Sequence, residues 1–288
     1  MLTLGLISLV VLILIVPAAI LLGVSVAVFA AKWSSDGGTP AWLKLFGEKL
    51  RQIIGQWWGS ESNPGYLNKW YTWELPSRFG SLRHPAVSRF FVELPISQAR
   101  YIEYHQRPRD LNPHHFDTYV TVTIPEIELL AEKLLALGQE RHYDSYTQLC
   151  NTLAFVQQGI HYTSDLSPQT GQLIEYPKYP IETLAEKKGD CEDQAILAAT
   201  LLTRMGYKVA LLLLTTHVAL GVAGFERQPG SRVVHPASGI RYLYAETSAP
   251  DWLPGEVPRE FQPDLASGQF QILPVVSDRD GRPQTVDR

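Results

Sequence analysis

The sequence predicts an α+β protein carried behind a single N-terminal membrane-spanning helix. Three observations carry that reading. The first 31 residues contain no charged side chain. A capped helix begins at Cys191, and three strand-like runs follow it in the order buried strand, strand with His217, strand ending at Glu246.

Residues 1–31 hold the continuously apolar run Leu9 to Val16 and meet the length criterion of about 20 apolar residues for a spanning helix. At 1.5 Å per residue the segment would reach about 46 Å, so tilt or a kink at Pro17 is expected. A cleaved signal peptide would carry a basic start and a shorter apolar core, and neither is present. Lys32, Lys44, Lys49 and Arg51 follow the span while no Lys or Arg precedes it. The positive-inside rule then places the C-terminal body in the cytoplasm.

Residues 32–65 form the next segment. Apolar side chains at 42, 43, 46, 50, 53, 54 and 57 mark an amphipathic helix, suited either to the headgroup layer or to packing on the soluble body. The polar run Ser60 to Gly65 closes it as a boundary.

Residues 66–125 read as a β-rich accessory region. Trp70–Leu75, Phe90–Leu94 and Tyr119–Ile124 are aromatic and β-branched runs of strand length. His114 and His115 lack a third metal ligand at a recognisable spacing and read as solvated loop residues.

The catalytic domain is expected over 126–276, with a polar tail over 277–288. Pro125 opens an amphipathic helix that Gly138 should end. A second helix follows from about Ser145 to Gln158, and Cys150 within it sits at an apolar position, as a buried structural thiol does.

The Gly189-Asp190 pair breaks the chain, Asp190 is suited to cap a helix running to about Met205, and Gly206 supplies the stop. Cys191 therefore falls in the first turn, where free N–H groups and the helix dipole favour a thiolate. Its neighbours Asp190, Glu192 and Asp193 oppose one, because nearby negative charge raises a thiol pKa. Something positive should offset them, either a histidinium or a bound cation.

Tyr207–Leu214 and Thr215–Gly224 read as strands. His217 lies near the start of the second, and Ala219 and Gly221 on its face leave room beside the imidazole. Arg241–Glu246 is the third strand. Glu246 is placed to accept the second imidazole N–H, as the third member of a nucleophilic triad does, with Asp251 as its competitor. The loop 225–239 joins the strands that carry His217 and Glu246, so it is a candidate border of the cleft. A net charge of −4 argues against a general nucleic-acid binder, which needs clustered Lys and Arg.

Gly189-Asp190-Cys191-Glu192-Asp193, the helix after it, and Thr216-His217-Val218-Ala219 on a strand resemble the transglutaminase-like superfamily, particularly its bacterial cysteine-proteinase type. The resemblance implies a papain-like α+β core, with Cys191 as nucleophile, His217 as general acid/base and Glu246 where the family usually has Asp. It implies a protein or peptide substrate and a thioester resolved by water, in a hydrolase, or by a lysine amine, in a transglutaminase. A non-catalytic interaction module on the same fold is the third reading. An oxyanion hole would use the Cys191 backbone N–H and one further donor, for which Gln157 and Gln158 are candidates. No cofactor is required, but the resemblance brings Asp190 and Glu192 in as calcium ligands.

Overall fold

The computed structural model describes residues 65–75, 88–165 and 174–275. All of them lie in one compact unit, 62–288. The expected anchor over 1–31, the amphipathic helix after it and the tail from 277 lie outside the described residues. Among the described residues no helix is long and apolar enough to cross a membrane.

Strands β1 (Tyr66–Leu75) and β2 (Ser88–Ser97) pair antiparallel over their whole length, Tyr66 opposite Ser97 and Leu75 opposite Ser88. Side chains alternate across a strand, so Tyr71, Trp73, Phe90, Val92 and Leu94 turn inward while Trp70 and Phe91 face out. The inward face does not make an accessory body of its own. Trp73 packs edge-on against Phe155 and donates its indole N–H to Asn151 at 2.9 Å, so the ribbon shares one core with the helices.

Helix α1 (Gln98–His105) and a 3-10 turn over Pro113–Tyr119 follow. The strand expected over Tyr119–Ile124 does not form. Val120, Val122 and Ile124 are buried as the alternation implies. The stretch is nevertheless a short coil, held between the 3-10 turn and the helix that Pro125 starts.

Helix α2 (Pro125–Glu140) runs past Gly138, its expected end. A Cβ at Gly138 would collide with the Gln148 side chain of α3 (Ser145–Gly159), so this glycine allows close helix contact instead of stopping a helix. Asp144 caps α3 by accepting from the Thr147 N–H at 2.7 Å. Strand β3 (His161–Tyr162) leaves α3 and pairs in parallel with β4 (Lys188–Gly189), which follows helix α4 (Pro180–Glu186).

Helix α5 (Cys191–Arg204) packs on an antiparallel sheet formed by β5 (Val209–Leu214), β6 (Val218–Ala223), β7 (Arg232–Val234), β8 (Arg241–Ala245) and β9 (Phe270–Pro274). The order is β7-β8-β6-β5-β9. β5 is apolar on both faces because both are covered. Val209, Leu211 and Leu213 meet the helices, while Ala210, Leu212 and Leu214 meet Val257, Phe261, Leu265 and Ile272. The 3-10 turn Arg259–Phe261 and helix α6 (Gln262–Ser267) contribute to this second cover. Three of the five strands were expected, β7 lies in the supposed loop 225–239, and β9 is new. The α+β class stands, as a helical layer on an antiparallel sheet.

Candidate active site

Cys191 is the first residue of α5, where the chain turns out of β4. Gly189 makes that turn possible, because a Cβ there would lie 2.5 Å from the Asp193 Cβ. Asp190 holds the N-cap position, but its side chain makes no capping hydrogen bond. The expected cap is thus one of position only. The carboxyl is turned away from the helix N–H groups.

The Cys191 thiol is partly buried and donates to Glu192 Oε2 at 3.2 Å. Burial and the Glu192 charge push its pKa up, the Val218 main-chain N–H pulls it down, and the Glu192 hydrogen bond and Asp190 charge add to the rise. Asp190 and Glu192 also act on each other. Burial, the Glu192 charge and a hydrogen bond with Glu192 raise Asp190 to about 8, and Glu192 is likewise raised, with burial the largest cause.

The third acidic neighbour is different. Asp193 is fully buried, yet both of its oxygens are taken, Oδ1 by the Lys178 N–H at 2.7 Å and Oδ2 by Lys178 Nζ at 2.8 Å. The same ammonium donates to Asp165 at 2.8 Å. Burial works against the Lys178 charge, but the two carboxylates outweigh it and raise its pKa. Burial nevertheless outweighs the Lys178 charge and raises Asp193 to about 8, so the ammonium offsets this carboxyl only in part.

Across from the nucleophile, His217 sits one residue before β6. The β6–β8 ladder pairs Leu220 with Ala245, which brings His217 to Glu246 just beyond β8. The imidazole Nε2 lies 2.9 and 3.2 Å from the two Glu246 oxygens. His217 is 7% exposed and Glu246 1%. Tyr244 O–H donates to Oε2 at 2.9 Å, while Thr247 N–H, Ser248 N–H and Ser248 O–H donate to Oε1 at 2.9, 2.9 and 2.7 Å. Burial alone would raise the carboxyl. The His217 hydrogen bond and charge, with the Ser248 N–H and O–H, more than reverse this and hold it at about 2.

An ionised carboxylate only accepts hydrogen bonds, so the imidazole proton belongs on Nε2 and the Nδ1 lone pair is free for a second partner. The main-chain N–H that acts on the thiol belongs to Val218, the residue after His217, so Cys191 lies against the start of β6. Phe261 stacks flat on the ring at 4.1 Å and fixes its plane. The room expected beside His217 is therefore filled by Phe261, and Gly221 instead makes way for Tyr242, whose Cβ would lie 2.8 Å from an added one.

The structure thus brings His217 and Glu246 together, and the exposed Asp251 is not the partner of His217. It does not offer Gln157 or Gln158 as oxyanion donors. Gln157 Nε2 donates to the Glu246 and Trp252 carbonyls at 2.9 and 3.1 Å, bracing the turn after β8. Gln158 bonds both the N–H and the carbonyl of Glu74 at 2.8 Å, occupying the edge of β1 as a neighbouring strand would. Both amides serve the backbone. A dent of about 290 Å³ lined by Gln139, Tyr143, Gln148 and Tyr207 includes none of Cys191, His217 and Glu246.

Sequence reasoning missed Lys178, Asp165, Phe261 and Tyr162. Tyr162 lies opposite Gly189 in the β3–β4 pair and is half exposed. Burial raises its phenol, as do the charges of Cys191, Asp190 and Glu192, which puts it on the rim of the site. None of the four has a motif around it, since each partner is distant in sequence.

The expected calcium ligands were Asp190 and Glu192. The oxygens that cluster within 4.8 Å of one another belong instead to Asp165, Asp190 and Asp193, and Glu192 faces the thiol. Asp190 Oδ1 and Asp165 Oδ2 have no partner, but Lys178 already occupies the cluster. A divalent ion bound there would sit roughly 3.5 Å from its ammonium, a repulsion of about 9 kcal/mol at an effective dielectric of about 20. With Lys178 in place these residues do not fit calcium.

Residues 126–223 match the family of transglutaminase-like domains. That span includes Cys191 and His217 and stops short of Glu246. No curated protein matches the chain. Among solved structures, Legionella pneumophila LapG is 21% identical, over 50% of this chain and 81% of that one, with a TM-score of 0.24. Its calcium-bound form is 20% identical with the same coverage and a TM-score of 0.23. A candidate cysteine protease from Cytophaga hutchinsonii is 11% identical, over 70% of this chain and 69% of that one, with a TM-score of 0.32. The family match spans about a third of the chain, so residues 126–223 are similar to transglutaminase-like domains, and the loose overlays add nothing to that.

Proposed function

We propose that this transglutaminase-like domain is a thiol hydrolase acting on protein or peptide amides through Cys191, His217 and Glu246. The observation that carries the reading is the His217–Glu246 pair, buried, oriented and charge-stabilised beside a cysteine at a helix start. Glu246 keeps the imidazole proton on Nε2, so Nδ1 takes the proton from the Cys191 thiol. The thiolate attacks the amide carbonyl, forming the S–C bond. The C–N bond then breaks as His217 returns the proton to the leaving amine. Water, deprotonated by the same imidazole, resolves the thioester. The Cys191 backbone N–H, free at the first turn of α5, is placed to receive the developing oxyanion.

Burial and Glu192 hold the resting thiol protonated. Its reactivity therefore depends on transfer to His217 rather than on a free thiolate. The apolar segment 1–31 would tether this domain to a membrane, with the basic residues after it on the cytoplasmic side.

Alkylation by iodoacetamide tests the assignment on the full-length chain. Cys191 is expected to label faster than a free thiol at pH 7, and His217→Ala to slow it by about 100-fold or more. Cys191→Ala should abolish the signal, and Cys150→Ala should leave it intact. Labelling no faster than a free thiol, or unchanged in His217→Ala, would overturn the reading.

A further inference from the structure

We infer that Lys178 is the cation this site supplies for itself, standing where a hard divalent ion would otherwise bind. The inference concerns the charge balance of the acidic cluster and does not rest on Cys191 turning over a substrate. Three carboxylates, Asp165, Asp190 and Asp193, bring oxygens within 4.8 Å of one another. Two oxygens of one ion, each about 2.4 Å from it, are at most about 4.8 Å apart. The cluster therefore has the span of a calcium shell. Against two of these carboxylates the chain has placed the ammonium of Lys178, a residue 6% exposed, with Nζ 2.8 Å from both Asp165 and Asp193.

The connectivity matches what a structural ion provides. Asp165 lies just beyond β3, Lys178 just before α4, and Asp193 in the first turn of α5, so one positive charge ties two separate segments to the helix that begins with Cys191. Lys178 adds its own N–H to the Asp193 carboxylate, which no metal can do. Asp190 Oδ1 and Asp165 Oδ2, buried and without a partner, are the oxygens of the cluster that the ammonium leaves over. If Lys178 loses its charge, like carboxylates are left facing one another in a buried position. A hard cation with oxygen preference then has a vacated place and an orphaned ligand waiting for it.

The test is calcium titration, by calorimetry and by melting, of the full-length wild type and of Lys178→Met, Lys178→Arg and the double variant Lys178→Met with Asp165→Asn. The wild type and Lys178→Arg should melt at the same temperature in chelator and in millimolar calcium. Lys178→Met should melt lower in chelator, recover by several degrees with calcium and bind one ion at least 100-fold more tightly than the wild type. The double variant should lose that gain. Magnesium and potassium at matched ionic strength separate a site from a salt effect. Tight calcium binding by the wild type, equal to that of Lys178→Met, would overturn the inference whether or not the variant folds. So would a Lys178→Met protein that gains no calcium response or stays unfolded with calcium present. Introducing Cys191→Ala should leave every calcium response in place, so failure here is distinct from failure of the thiol reading.

Discussion

Two acidic side chains mark the two halves of the site, Glu246 beside the His217 imidazole and Asp190 beside Cys191. They are buried to a similar degree, 1% and 9% exposed, yet Glu246 is held at about 2 and Asp190 is raised to about 8. Burial raises both, so it does not account for the difference. Donors do. Glu246 sits in the turn after β8, where Thr247 and Ser248 N–H groups converge with two hydroxyls and the imidazole. Asp190 is turned from its helix toward another carboxyl and leaves one oxygen without a partner. The His217 side of the site is thus fully satisfied and the Cys191 side is strained. Burial and the Glu192 charge on that side keep the thiol protonated.

The largest expected effect comes from undoing the satisfied side. Every lone-pair direction of Glu246 meets a donor, so the –NH2 of a Gln must face one of them. Glu246→Gln should slow Cys191 labelling by about 10²–10⁴-fold, as loss of an orienting carboxylate does elsewhere, and cost about 1–3 kcal/mol of stability in urea melts. Wild-type labelling in this variant would remove the basis of the comparison.

The second effect is a pair of opposite slopes of stability with pH. Glu246 is depressed from its ordinary 4.5. Its contribution, roughly 3 kcal/mol, is present above about 4.5 and is lost as pH falls through about 2. Asp190 is raised from 3.8 to about 8. Its contribution is full below about 3.8 and is lost as pH rises through about 8. Urea melts across that range should show Glu246→Gln flattening the acid limb and Asp190→Asn flattening the alkaline one.

A smaller effect refines the strained side. Asp190→Asn should speed Cys191 labelling only above about pH 8, where the native carboxyl is ionised, and leave it unchanged at pH 6. A uniform increase would show that its charge acts on the thiol throughout. The smallest is Gly189→Ala. The Asp193 side chain must shift to admit the methyl, at about 1–3 kcal/mol, and thermal melts should show the loss without a change in the pH slopes.

Much of this site was legible in the order of residues. Cys191 at a helix start, α3 from Ser145 and the strand runs around His217 and Glu246 are local statements. Caps and apolar periodicity act over a few residues, so a linear reading reaches them. Tyr119–Ile124 shows where that reading ends. Its alternation is real and its side chains are buried, but a strand also needs a partner to pair with. Gly138 is similar, since its role is set by Gln148 on the next helix rather than by the end of its own.

By itself the sequence determined the α+β pattern and which thiol stands at a helix terminus, because helix starts and strand periods are written in neighbouring residues. Only the tertiary structure decided the charges around that thiol. It turned Gln157 and Gln158 onto the backbone, laid Phe261 on the imidazole and set Lys178 against Asp193. These contacts join segments far apart in the chain, and the sign of a buried carboxyl's pKa shift depends on which donors arrive there when it folds.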